Sequence, residues 1–378
     1  MNTSAAKLSR LLETDIISVD SPALMKDFID LPWQIYRDDP NWVPPLKEEV
    51  AFKLNTAEHP YYQHSDLQVF LAVQGGQVVG RIAACVNHNH NAYHQQQTAF
   101  FGFFECIDDD SVAEALFDAA QNWARTQGCN RLLGPFSMSI DEEVGFLFEG
   151  YDSKPVMQMP YNPPYYHDLC LRQGFSKAKD LYAWRKAFED RPVSMPEHLS
   201  RLGCVLRPLR PAELAAELER IMVIYNTTFT RHWGYVPLTR EEIRQMHDDL
   251  KEVLDPELVM FAEINGKVAG FGIALPNYNE VLDKLNGRLG VIGVLKFLWW
   301  KRKIRSVRTF VVGVAEEYRT SGLAFYMQQE FVRLGYQLGY DWYELSWTLE
   351  DNHAVNGMIR KTGSEQYKTY RIYGKDLD

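Results

Sequence analysis

Two periods alternate along this chain. Runs with apolar residues at every second position, or at several in succession, read as strands, and apolar residues three and four apart read as helices. Leu67–Val73 and Gln77–Cys85 flank Gly75-Gly76, and Leu258–Ile264 and Lys267–Leu275 flank Asn265-Gly266. Both read as β-hairpins, because these pairs supply the positive φ that two-residue turns need. After the first hairpin the pattern predicts a strand over Ala99–Ile107 and a helix over Ser111–Arg125 with Ala113, Leu116 and Phe117 on one face. A strand at Arg131–Gly134, the stretch Asn162 to Gly174-Phe175 and a strand over Lys177–Phe188 follow. After the second hairpin come a strand ending at Val312-Gly313-Val314, a helix through Met327–Leu338 and a strand over Asp341–Trp347. A helix then opens at Asn352-His353 and ends near Gly363, and Ser364–Tyr373 is a final strand. The same order of elements thus occurs twice with little identity between the copies, an architectural repeat.

The flanking segments are less regular. Leu8–Leu12 is a short helical stretch, and Ser21–Tyr36 reads as a helix with Pro22 in its first turn and Leu24, Phe28, Leu31 and Ile35 on one face. Pro40–Pro45 is a loop whose Trp42 is either a substrate contact or a packed aromatic. Arg191–Leu202 holds Pro192 and Pro196 without a period and marks a linker between residues 1–190 and 203–378. The second part opens with a strand Cys204–Arg210 and a helix Pro211–Phe229, with Leu214, Leu218, Ile221, Ile224 and Tyr225 inward. The fold class is mixed, α/β with an α+β sheet, and a length of 378 residues suits two domains.

A net charge of −10 argues against a nucleic-acid partner. The five cysteines, at 85, 106, 129, 170 and 204, are odd in number and lack Cys-x-x-Cys spacing, so neither a disulfide scaffold nor a zinc site is expected. His88, His90 and His94 have no carboxylate or Cys at ligand spacing and read as a solvated loop; no metal is expected. No apolar run is long enough to span a bilayer and no secretory signal is evident, so a cytoplasmic protein is expected.

The candidate chemistry lies in Val312-Gly313-Val314-Ala315-Glu316-Glu317-Tyr318-Arg319-Thr320-Ser321-Gly322-Leu323-Ala324, a strand, a polar turn and a helix start. Amides in the first turn of a helix have no internal partner and, with the helix dipole, favour an anion. Gly322 lets backbone approach a phosphate closely, and Ser321 is the expected N-cap. The corresponding turn of the first half is Asp108-Asp109-Asp110-Ser111, whose carboxylates would repel a phosphate.

The Arg319-x-x-Gly322-x-Ala324 spacing, with the elements after it, resembles the pyrophosphate loop of the GCN5-related N-acetyltransferase (GNAT) superfamily. The chain as a whole resembles bacterial tandem GNAT proteins, some of which look like bacterial ceramide synthases. The resemblance implies two tandem GNAT domains, the N-terminal one degenerate. It implies acetyl-CoA or a longer acyl-CoA held by Val312, Gly313, Val314, Arg319, Thr320, Ser321, Gly322, Leu323 and Ala324, with Asn352 adjacent, and an amine acceptor, sphinganine-like in the lipid case. The strand amide of Val314 is the implied oxyanion donor. The Tyr that often serves as general acid is Ile359 here. Glu344 and His232 are therefore candidates for the base, and Tyr370 and Tyr326 for the acid; Arg231 stands beside His232 as a further substrate contact. A non-catalytic acyl-CoA-binding protein and a tRNA-dependent aminoacyl transferase of the peptidoglycan-bridge type are the alternatives.

One segment has no place in a compact member. Residues 276–306 are inserted, and within them Leu289–Trp300 is apolar and is followed by Lys301-Arg302-Lys303-Ile304-Arg305. Two readings stand: peripheral membrane contact through 289–305, or a buried helix with a solvated basic end.

Overall fold

The computed structural model describes residues 13–140, 142–190, 192–230 and 232–378; the Leu8–Leu12 stretch and Arg231 lie outside them. In chain order the strands are β1 (Asp15–Ser18), β2 (Ser65–Gln74), β3 (Gln77–Asn87), β4 (Thr98–Cys106), β5 (Arg131–Gly134), β6 (Phe146–Glu149) and β7 (Ser176–Ala187). They continue with β8 (Cys204–Pro208), β9 (Val259–Ile264), β10 (Lys267–Pro276), β11 (Ser306–Val314), β12 (Trp342–Leu349) and β13 (Glu365–Asp376). The longer helices are α1 (Pro22–Asp30), α2 (Asp110–Thr126), α3 (Leu214–Thr228), α4 (Arg240–Val253), α5 (Val291–Lys301), α6 (Leu323–Gln337) and α7 (His353–Lys361).

These elements form two compact units. One comprises the chain up to Leu181 together with Leu282–Lys296 and Lys368–Asp378; the other comprises Tyr182–Val281 and Phe297–Tyr367. The limits read from the sequence cut the chain once, whereas these units take up segments distant in sequence. The first part of the insert groups with N-terminal residues because specific bonds hold it there. Trp33 Nε1 donates to Asn286 Oδ1 at 2.9 Å, the Lys47 N–H to the Gly287 carbonyl at 3.1 Å, and Lys154 pairs with Asp283.

In the first unit the strands run β1-β2-β3-β4-β5-β13, with β6 also on β13. All the registers within it are antiparallel except β4 with β5. Helix α2 turns Val112, Ala113, Leu116, Phe117, Ala120 and Ala124 onto Ile82, Ala84, Phe101 and Phe104, and a second cluster joins Phe28 of α1 to Val69, Leu71 and Ala83. Each fully buried Val, Leu, Ile or Phe side chain among these contributes about 1.5–3 kcal/mol. The helix expected over Ser21–Tyr36 is interrupted: Pro32, which has no N–H to continue the ladder, starts a separate turn, Pro32–Ile35. His88–His94 is a short helix rather than a loop, capped by Asn87, whose side chain accepts from the His90 N–H. Burial and the neighbouring His94 push the His90 pKa down to about 4.

In the second unit the order is β12-β11-β10-β9-β8; among the described residues β11 with β12 is parallel and the other three pairings are antiparallel. Helix α3 covers one face, placing Leu218, Ile221 and Ile224 against Phe261, Phe271 and Ile273. Helix α6 covers the other, with Leu323, Met327 and Phe331 against Met260, Ala262, Ala269 and Val307. Ile359 of α7 packs on Trp184, Val332, Tyr343 and Leu345. An apolar side chain there is explained by packing.

Candidate active site

The site is a fork between two parallel strands. β11 and β12 pair from Ser306↔Trp342 to Thr309↔Leu345 and no further. At the same level the register of β10 with β11 steps from Ile273↔Val311 to Ala274↔Thr309, leaving Phe310 as an extra residue. Such a bulge bends its strand and leaves one residue outside the ladder. Beyond it, the Ala315 N–H donates to the Ala269 carbonyl at 2.9 Å. Bonding alternates along an antiparallel edge, so the N–H and C=O of Val314 face away from β10, toward the open fork. The Thr228 hydroxyl, at the end of α3, donates to that Val314 carbonyl at 3.1 Å.

At the mouth of the fork the chain makes one tight turn, Glu316–Tyr318, and α6 begins at Leu323. Gly322, not Ser321, is the N-cap, with φ of 76°. The reason is local: the Ser321 hydroxyl donates to the Tyr318 carbonyl at 2.7 Å and accepts from the Leu323 N–H at 3.3 Å, leaving the left-handed position to the residue without a Cβ. A Cβ on Gly322 would meet nothing within 4 Å, and Arg319, Thr320 and Gly322 are exposed. The helix start is therefore open to an anion. Arg319 donates to the Thr228 carbonyl at 3.1 Å, which fixes the loop to the C-terminus of α3, where a cation is favoured.

The other nominated residues occupy distinct places. His232 is half-buried beside Phe229 and within electrostatic reach of Arg319 and Asp351. Burial and the Arg319 cation lower its pKa, with Asp351 opposing, so the imidazole is held neutral. Asn352 caps α7 by accepting from the Val355 N–H at 3.3 Å. Glu344 is completely buried, pairs in register with Arg308 one step from the end of the β11–β12 ladder, and accepts from the Tyr367 hydroxyl. Tyr326, on α6, packs in the core with Cys204 and Met260. Tyr370 is fully buried and belongs to the first unit.

Four residues at the fork escaped the sequence reading. Arg308 Nε donates to the Ser346 hydroxyl at 2.9 Å, its guanidinium lies 5.0 Å from the Phe310 ring centroid, and Tyr367 holds Glu344. Arg308, Glu344 and Ser346 are all buried. Two buried charges, Arg308 and Glu344, and a hydroxyl within the strands β11 and β12 are the available signal, because buried charge is costly unless it is paired or functional.

The same junction in the first unit is closed. Beyond the pair Phe100↔Leu133, the Phe136 N–H donates to the Phe101 carbonyl at 2.7 Å. A Cβ on Gly102 would stand 1.8 Å from the Phe136 carbonyl oxygen, so backbone fills the space that stays open in the second unit. The Asp109 carboxylate accepts from the Ser111 N–H at 2.9 Å and caps α2. Among the described residues of this half the junction is closed by backbone, and the helix after it starts at an Asp cap rather than at a glycine.

Two copies of one strand–helix order, a parallel pair that diverges at a bulge and a glycine-started helix define a tandem GNAT fold. No family model matches the chain. Among solved structures it is similar to a tandem GNAT protein from the clavulanic acid biosynthesis pathway, with 14% identity, a TM-score of 0.58, and 96% of this chain and 98% of that one covered. It is also similar to a GCN5-related N-acetyltransferase from Sphaerobacter thermophilus, with 15% identity, a TM-score of 0.54 and 96% and 95% covered. Two relatives align over nearly the whole chain. The bacterial ceramide synthase of Caulobacter vibrioides is 36% identical over 379 positions, 97% of this chain and 98% of that protein. The protein YghO of Escherichia coli is 35% identical over 370 positions, 93% of each. The chain has the tandem GNAT fold and belongs to the family that contains these two relatives.

Proposed function

We propose that the protein moves a long-chain acyl group from a CoA thioester to the primary amine of a sphingoid-type lipid, forming an amide. The observation that carries this reading is the bulged fork at Phe310, which leads down from an exposed, glycine-started helix. The family of the Caulobacter ceramide synthase supports the choice of acyl donor and amine. In this reading the pyrophosphate lies on the amides after Gly322, with Asn352 nearby. The pantetheine runs along the outward edge of Val312 and Val314, and the thioester reaches the bulge. The Phe310 amide then meets the developing oxyanion, a role the family resemblance implied for Val314.

The amine attacks the thioester carbonyl, and the C–S bond breaks as the C–N bond forms. Glu344, oriented by Tyr367, takes the amine proton. Arg308 and the Ser346 hydroxyl stabilise the departing thiolate, so no tyrosine is needed at Ile359. A second reading gives the base to His232, because its lowered pKa keeps it neutral and able to accept a proton. Tyr326 and Tyr370 have only core roles in either scheme. Contact with the membrane that carries such an amine would run through residues 289–305; among the described residues no helix is long and apolar enough to cross a membrane.

The test is release of free CoA thiol from palmitoyl-CoA, followed with a thiol reagent. Release that requires an added sphingoid amine and disappears in Gly322→Glu supports the reading. Release independent of any amine would replace it with a thioesterase.

A further inference from the structure

Helix α5 is built the wrong way round for a helix facing water. Gly293, Phe297, Trp300 and, just past the helix, Ile304 recur at spacings of four, three and four, and all are buried or half-buried. Phe297 stacks on Tyr278 with centroids 5.7 Å apart, and a Cβ on Gly293 would stand 2.7 Å from the Arg288 carbonyl. These residues are the inward face. The opposite face should be polar. It is Val291, Ile292, Leu295, Leu298 and Trp299, exposed by 83%, 72%, 65%, 58% and 64%.

The cations frame that face rather than cover it. At about 100° per residue, Lys296 and Lys301 each lie roughly 110° from its centre, one on either border. Lys303 lies 4.7 Å from the ring centroids of both Trp299 and Trp300, which gathers charge and indoles at one end. Residues 288–305 hold Arg288, Lys296, Lys301, Arg302, Lys303 and Arg305 and no acidic residue, in a chain of net charge −10. Among the described residues Arg305 alone of these six forms an ion pair, with Asp341 at 2.6 Å.

We infer that the outward face of α5 is a docking surface for an anionic lipid bilayer, lying in the plane of the interface. Aliphatic side chains enter the acyl boundary, Trp299 sits at headgroup level, and the bordering lysines extend their stems along the apolar face to reach phosphates. Charge complementarity selects this occupant over a second copy of the chain, because two such faces would bring like charges together. The inference gives the proposed lipid acceptor a route of delivery but does not need the chemistry to be correct.

Co-sedimentation of the full chain with phosphatidylcholine vesicles, with and without phosphatidylglycerol, tests it. Binding should require the anionic lipid and weaken with salt. Lys301→Gln/Arg302→Gln/Lys303→Gln should lower partitioning on the order of a hundredfold, at a factor of about five per cation. Ile292→Ser/Leu295→Ser/Trp299→Ser should abolish it, while Val223→Ser, an equally exposed apolar site on α3, should leave it unchanged. Circular dichroism checks that each variant is folded. Parent chain that stays in the supernatant overturns the inference, as does a parent dimer that the serine variant splits without any effect on lipid. Absent vesicle binding alongside retained acylation of a detergent-dispersed amine removes the docking surface and leaves the proposed reaction standing.

Discussion

The open space in front of Gly322 allows backbone strain and charge to be separated. Its φ of 76° is left-handed, and an added Cβ there touches nothing. Gly322→Ala therefore perturbs only the backbone, at about 1 kcal/mol, and should raise the Kd for CoA at most about fivefold. Gly322→Glu carries the same strain, partly offset because a carboxylate suits a helix N-terminus by about 0.3–1 kcal/mol. It also sets that carboxylate against the pyrophosphate. Two unit charges 4 Å apart repel by about 1 kcal/mol in water and about 4 kcal/mol at a surface-like dielectric. With two phosphate charges, a loss of at least about 2 kcal/mol, or some thirtyfold in Kd, follows. Calorimetric titration with CoA measures both variants, and their melting temperatures should stay close to the parent's. If Glu binds within twofold of the parent, or Ala is as damaging as Glu, the anion does not lie at this helix start.

Further outcomes follow from the buried groups. Glu344→Gln should lower kcat about a hundredfold or more with the Kd for CoA unchanged, whereas His232→Gln should leave most of kcat; the reverse result, with an acid limb below pH 6.5 that vanishes in His232→Gln, would assign the base to His232. Gly102→Ala should destabilise by on the order of 3 kcal/mol in urea titration, since the new Cβ meets a backbone oxygen, and an unchanged midpoint would show that the first unit's junction is looser than described. Burial alone would raise the Asp180 carboxyl, but hydrogen bonds from Arg371 and Lys177 outweigh it and hold the pKa below its ordinary value. Its contribution to stability is thus full above the unfolded pKa near 4 and is lost as pH falls through the lowered folded value. Asp180→Asn should cost stability at pH 7 and converge with the parent in acid melts; a constant difference across pH would refute the linkage. Glu217 is fully buried and paired with Arg207 and Arg220, which keep Glu263 and Glu213 as second partners, so Glu217→Ala should cost about 1.5–3 kcal/mol through the lost charge-assisted hydrogen bonds, and an unchanged midpoint in chemical denaturation would contradict that.

What could be read from the sequence was local. Gly75-Gly76 and Asn265-Gly266 take positive φ between paired strands, as hairpin turns require. The polar turn before Gly322 stood out because an apolar strand and an apolar helical period abut it. The four-residue strands β1 and β6 are too short for a period to show, and Pro32 broke a helix whose apolar spacing ran straight through it. The bulge at Phe310 depends on a register with β10 that no local pattern encodes. The contacts of Arg308 with Ser346 and of Tyr367 with Glu344 join residues 38 and 23 positions apart. For the same reason the sequence placed 282–296 and 368–378 with their neighbours in the chain, whereas long-range bonds such as Trp33 to Asn286 and Thr369 to Glu149 group them with the first unit.

Amide formation at the Phe310 fork from a CoA thioester is the reaction on which the proposed roles of Gly322, Phe310 and Glu344 converge. Mass spectrometry of products, after incubating the protein with acyl-CoA donors of graded length and an amine panel that includes sphinganine, tests it most directly. A long-chain N-acyl sphingoid product, lost in Gly322→Glu and in Glu344→Gln, is the expected result. CoA binding without an amide from any donor and amine would contradict it and leave an acyl-CoA-binding protein in its place.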